Sequence, residues 1–172
     1  MTDSSLTVGE LREAAARVLN AVDLRDVALH SVSASRSAPG AVGPFTVTQD
    51  IRVRGDKSED STAVNSWAKY QVEARPSDME VGGVPTWSVT VELVATYAIN
   101  SEQPEDFGAD DLTAFSTVIG LMTIHPYARE TIQTVTSRMG FPPFTLALLE
   151  PISSGPDDEV VHLSADGETV QE

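Results

Sequence analysis

Three successive stretches of this chain alternate apolar and polar residues with a period of two. That pattern restricts the fold to one built on an antiparallel sheet with a single apolar face. In 45–54, Phe45, Val47, Ile51 and Val53 alternate with Thr46, Thr48, Asp50, Arg52 and Arg54. In 64–75, Val64, Ala68, Tyr70, Val72 and Ala74 alternate with Asn65, Lys69, Gln71, Glu73 and Arg75. In 86–100, Trp87, Val89, Val91, Leu93, Ala95, Tyr97 and Ile99 alternate with Ser88, Thr90, Glu92, Thr96 and Asn100. A fourth strand is predicted over 25–37, with irregular alternation: Val27 and Leu29 face one way, Val32 and Ala34 the other, as at a bulge. The Ala-Pro-Gly-Ala-Val-Gly-Pro run at 38–44 reads as a turn, and the charged or glycine-rich stretches 55–63 and 76–85 read as hairpin loops.

Helical periodicity brackets these strands. Residues 6–22 form a predicted amphipathic helix, with Leu11, Ala15, Val18, Leu19 and Val22 on one face. After residue 100, Asp110 or Asp111 is the expected cap of a helix in which Leu112, Phe115, Val118, Ile119 and Met122 share a face. His125-Pro126 reads as a break that starts a second helix, because proline suits the first turn. Along it Ala128, Ile132, Val135 and Met139 recur on one face. Gly140 is placed to end that helix in the left-handed conformation, with Phe141 folding back on the last turn. Pro142-Pro143 then holds the exit extended. Strands first and helices after imply an α+β fold: a four-stranded antiparallel sheet with helices packed on one face. One domain is expected over 1–150, followed by an acidic tail, 151–172, expected to be disordered.

At 172 residues the chain has a net charge of −15 and no cysteine. The charge repels nucleic acid and anionic lipid, so neither is an expected partner. Lack of cysteine removes disulfides, thiol catalysis and thiolate metal sites. No apolar run is long enough to span a membrane, and the first residues do not read as a secretory signal, so a cytoplasmic location is expected.

Catalytic signatures are missing: no nucleophile elbow, phosphate loop, paired zinc-binding histidines or dinucleotide glycines. His30, His125 and His162 are scattered, and His125 reads as a helix-junction residue. Asp110-Asp111 reads as a helix cap rather than an acid–base pair. No catalytic residue, metal or cofactor is therefore expected, and the chain does not read as an enzyme. Its unusual residues are apolar. Trp67 and Val94 fall on the polar faces of their strands, which suggests a subunit contact or a ligand surface. Phe141, Phe144, Leu146, Leu148 and Leu149 come after the last helix, and pattern alone leaves open whether they close the core or line a groove for extended polypeptide.

The run Pro126-Tyr127-Ala128-Arg129, Ile132, Thr136, Arg138, Gly140-Phe141-Pro142-Pro143 and Phe144-Thr145-Leu146 resembles the SecB family of bacterial protein-export chaperones. The order of elements over about 24–149 agrees with it. The resemblance implies a homotetramer, a dimer of dimers, that holds unfolded polypeptides or preproteins in apolar grooves and keeps them export-competent and unaggregated. It implies handover to the SecA motor through an acidic sheet surface and a zinc-binding tail; the tail here has no cysteine, which puts SecA engagement in doubt. SecB-like relatives also serve toxin–antitoxin pairs by holding an antitoxin, and an adaptor for one folded partner is a further alternative. On this reading Phe45, Trp87, Phe141, Phe144, Leu146 and Leu148 are the candidate client-binding residues, Trp87 being the one that pattern most readily places in the core. Trp67 and Val94 are the candidate subunit contacts.

Overall fold

The computed structural model describes residues 4–37, 43–77, 84–100, 106–149, 160–163 and 169–170. Four long strands carry it: β2 (Val22–Arg36), β3 (Phe45–Lys57), β4 (Ala63–Pro76) and β5 (Trp87–Ile99), preceded by a short β1 (Ser4–Thr7). They form one antiparallel sheet in the order β2-β5-β4-β3. The period-two expectation holds on its inner strands. In β4 Val64, Ala68, Tyr70, Val72 and Ala74 are buried, and in β5 the odd positions from Trp87 to Tyr97. The irregular strand expected over 25–37 is β2, an edge strand with register shifts between Leu24 and Asp26 and between Leu29 and Ser31. These bulges explain its broken alternation.

Helix α1 (Val8–Leu19) starts at Thr7. Thr7 N–H donates to Glu10 Oε2 at 2.8 Å, and Glu10 N–H donates to Thr7 Oγ1 at 3.2 Å. This reciprocal capping satisfies two otherwise orphaned donors and places the helix start two residues later than the sequence suggests.

The largest departure from the sequence reading lies in the last helical region. No break occurs at His125-Pro126. Helix α2 (Ala109–Phe115) runs through a five-residue π turn, Ser116–Gly120, into α3 (Leu121–Arg138), which contains Pro126. Pro126 is exposed, so water can satisfy the carbonyl that it leaves without a donor. The cap also differs. Gly108 is the N-cap, and Asp111 accepts its N–H at 3.1 Å while pairing with Arg17. The π turn adds a residue and rotates the helix beyond it, so Met122, placed inward by a 3.6-residue extrapolation, is exposed. Instead every fourth residue is buried: Ser116, Gly120, Ile124, Ala128, Ile132 and Thr136.

Gly120 makes this row possible. It lies so close to β4 that a Cβ there would collide with Ser66, whose Oγ is 2.8 Å from Ser116 Oγ in a buried hydroxyl pair. Helices α2 and α3 pack on one side of the sheet, α3 over β4 and β5, while α1 packs mainly against α2 through Val8, Leu11, Ala14 and Ala114.

Within the C-terminal stretch expected to be disordered, β6 (Val160–Leu163) pairs with β1 and β7 (Thr169–Val170) pairs with β6. The remainder of 150–172, the turn residues 38–42 and most of the 76–85 loop lie outside the described residues. No helix among the described residues is long and apolar enough to cross a membrane.

Candidate functional site

Helix α3 ends as its sequence predicts. Gly140 takes φ +85°, its N–H donates to Ser137 O at 3.0 Å, and Phe141 N–H donates to Thr136 O at 3.2 Å. This pair of bonds turns the chain back on the helix. The segment 141–149 then runs back along α3, held by buried polar groups. Thr136 Oγ1 accepts Phe144 N–H at 2.9 Å while donating to Ile132 O. Further along, His125 Nε2 bonds Ala147 O at 2.8 Å, and its Nδ1 lies 3.2 Å from Tyr70 Oη. A carbonyl only accepts, so Nε2 carries the proton, Nδ1 accepts, and Tyr70 O–H donates. His125 is therefore not a junction residue. It ties the sheet, the helix and the exit segment together.

That fastening builds an aromatic cluster at one end of the sheet. Phe141 lies 6.1 Å from Phe45 and 6.0 Å from Trp87, and Phe144 lies 6.0 Å from Trp87, centroid to centroid. Trp87 and Phe141 are buried and form a floor; Phe45 and Phe144 are half-buried and form its accessible rim. Of the six candidate client-binding residues, these four come together. Leu146 is fully buried in the core, so only an indirect role is open to it. Leu148 is 78% exposed and stands apart from the four rings. Pattern could not separate these two, because an extended exit after Pro142-Pro143 has no fixed period.

Sequence reasoning missed Arg36. In the register, Arg36 pairs with Trp87, Trp87 with Ala74, and Ala74 with Val47, a row across the helix-bearing face. Its Nη1 donates to Met139 O, at the end of α3, at 2.9 Å. The one available signal was a charge at the end of a strand whose inward positions are otherwise apolar.

On the opposite face, Val94 pairs with Trp67 and with Ala28, and Trp67 pairs with Arg54. The Arg54 guanidinium sits 4.5 Å above the Trp67 ring, and the His30 ring meets it edge-on at 5.1 Å. Trp67 Nε1 is buried without a hydrogen-bond partner among the described residues.

Burial holds the His125 imidazole below its ordinary pKa; the bond to Ala147 opposes this and the Arg129 charge adds to it. Tyr70, which faces it, is pushed upward by burial and stays neutral. Above the ordinary histidine value His125 is neutral folded and unfolded, so it adds no pH dependence. Below it the unfolded chain takes up the proton more readily, and stability falls with pH until the folded imidazole also protonates. Between about pH 7.5 and about pH 5.5 the urea midpoint is expected to fall more for the wild type than for His125→Gln, which removes this titration. Equal falls would show that His125 does not couple stability to pH.

No protein-family model matches the chain. The SecB-like chaperones Rv1957 and MT2006, from the H37Rv and CDC 1551 strains of Mycobacterium tuberculosis, are each 24% identical to it over 164 residues, 85% of this chain and 89% of theirs. Among solved structures, Mycobacterium tuberculosis Rv1957 SecB-like chaperone in complex with a ChAD peptide from the Rv1956 HigA1 antitoxin superposes with a TM-score of 0.67 at 20% identity. It covers 81% of this chain and 98% of its own. Likeness to SecB-like chaperones thus extends over most of the chain in sequence and in fold.

Proposed function

We propose that this chain, SecB-like in sequence and fold, is a non-enzymatic chaperone that binds extended, apolar polypeptide segments and keeps their owners from folding or aggregating. The half-open aromatic cluster of Phe45, Trp87, Phe141 and Phe144 carries this reading. Burying apolar area yields about 25 cal/mol per Å², so a groove of several hundred Å² binds usefully after ordering costs. No catalytic group is needed. The net charge of −15 keeps such a surface soluble.

Between a general export client and an antitoxin, the antitoxin is favoured, because the solved relative was captured with an antitoxin peptide. The test is light scattering of a chemically unfolded, unrelated protein diluted with and without this chain. Suppression at near-stoichiometric amounts supports a general holdase. No suppression together with capture of an antitoxin-derived peptide supports the dedicated role. Failure of both ends the chaperone reading.

Assembly into a homotetramer belongs to the same proposal. Strand β2 is 15 residues long and has no strand on its outer edge among the described residues. It exposes Leu24, Leu29 and Val32 by 52%, 50% and 46%. A long apolar edge of this kind invites strand pairing, and a second copy is the occupant that closes it symmetrically. We assign Trp67 and Val94 to a further subunit contact, supported by their partial exposure side by side on the face away from the helices. Trp67→Glu is then expected to lower the mass measured by light scattering; an unchanged mass removes Trp67 from any contact. A cytoplasmic location fits this role, and the cysteine-free chain offers no support for SecA handover.

A further inference from the structure

We infer that Arg36 makes the aromatic site selective for extended segments that carry a carboxylate beside their apolar anchor. The inference rests on the peptide-binding reading above and names the chemistry of its ligand. Arg36 is the charged member of the row Arg36–Trp87–Ala74–Val47, next to the rings that form the site. It is exposed, and among the described residues one of its five N–H donors is used, by Met139 O. That bond places the guanidinium at the C-terminal end of α3, beside the Gly140-Phe141 turn, with the other donors left for a ligand. A planar fork of this type matches a carboxylate.

The net charge of −15 gives the opposite expectation, a preference for basic segments. Distance decides between them. Diffuse surface charge is screened beyond about 8 Å at physiological ionic strength, whereas Arg36 stands in contact range of a segment seated on Trp87. In an extended segment, residues i and i+2 project to the same side about 7 Å apart. For a segment that crosses the strands along the row from Val47 toward Arg36, the i+2 neighbour of an anchor in the cluster reaches β2.

The experiment uses the full chain and three labelled peptides with the same Phe-Leu-Phe anchor, continued two residues later by Asp, Ser or Lys. Affinities are read by fluorescence anisotropy. The wild type is expected to bind the Asp peptide about tenfold more tightly than the Lys peptide, the scale of a charge-assisted hydrogen bond. In Arg36→Gln the ratio falls to about one while affinity for the Ser peptide stays within about twofold, as loss of a rim charge predicts. Arg36→Lys, which keeps the charge if the glutamine variant perturbs the helix end, retains part of the preference. A ratio unchanged by Arg36→Gln, or a wild-type preference for Lys, overturns the inference and leaves peptide binding standing. Failure of the wild type to bind any of the three peptides removes the peptide-binding reading itself, and this inference with it.

Discussion

Gly120→Ala is expected to destabilise the protein although it improves local helix propensity. In an exposed helix the exchange stabilises by up to about 1 kcal/mol, because alanine has less backbone freedom to lose. At residue 120 the added methyl has no room. It would occupy the position of the Ser66 side chain, on a strand held on both sides by the sheet. Helix and strand must separate, which strains the Ser66–Ser116 hydroxyl pair and loosens Ile124 against the core. Overpacking of this kind costs about 1–3 kcal/mol, more than propensity returns, so the net sign is destabilising. Gly120→Val adds two further methyl groups and is expected to cost at least about 3 kcal/mol. Urea unfolding monitored by circular dichroism reads both, the midpoint falling in the order wild type, alanine, valine. Removing the opposing side chain in Ser66→Gly should recover part of the loss in the Gly120→Ala background. An alanine variant more stable than the wild type would show that the helix is free to move away from β4.

That crossing also marks where the sequence ceased to be legible. Alternation along β4 and β5 announced itself because both strands lie mid-sheet, with one face under the helices. Gly140 and Phe141 were readable because a left-handed helix end needs glycine. The π turn was not. Its buried residues, Ser116, Thr117 and Gly120, are small or polar, and nothing in a hydrophobic period marks them. Pro126 then misled: a proline consistent with a helix start stands on the solvent side of a helix already running. At the candidate site, Phe141 and Phe144 were visible as aromatics beyond a helix stop. Their grouping with Phe45 and Trp87 depends on strand register, and their anchoring depends on Thr136 and His125, whose polar side chains look incidental in sequence. Leu146 and Leu148 have the same side chain two residues apart, yet one is enclosed and the other reaches solvent. In an extended segment only the surface on which it lies decides that.

Phe144→Asp is expected to abolish most peptide binding while leaving the fold intact. Phe144 is half-buried, so its ring contributes less to the core than Phe141, and its backbone N–H bond to Thr136 Oγ1 survives any change of side chain. An apolar ligand residue seated against the Phe144 rim and the Trp87 floor gains the burial energy of a large side chain, about 1.5–3 kcal/mol. Replacing the rim with a carboxylate removes that apolar surface and obliges the ligand to desolvate a charge, so affinity should drop by at least about tenfold. Phe144 and Arg36 both neighbour Trp87, and an aspartate that drew this guanidinium would blunt selectivity for acidic segments as well as affinity. Phe144→Ala separates the two effects. It loses the ring without adding charge, so binding weakens while the preference for Asp over Lys peptides is kept. Anisotropy with the three matched peptides reads affinity and preference together, and far-UV circular dichroism reads the fold. Loss of secondary structure in Phe144→Ala would place Phe144 in the core and withdraw it from the site. Unchanged affinity in a folded Phe144→Asp would move peptide binding away from this end of the sheet altogether.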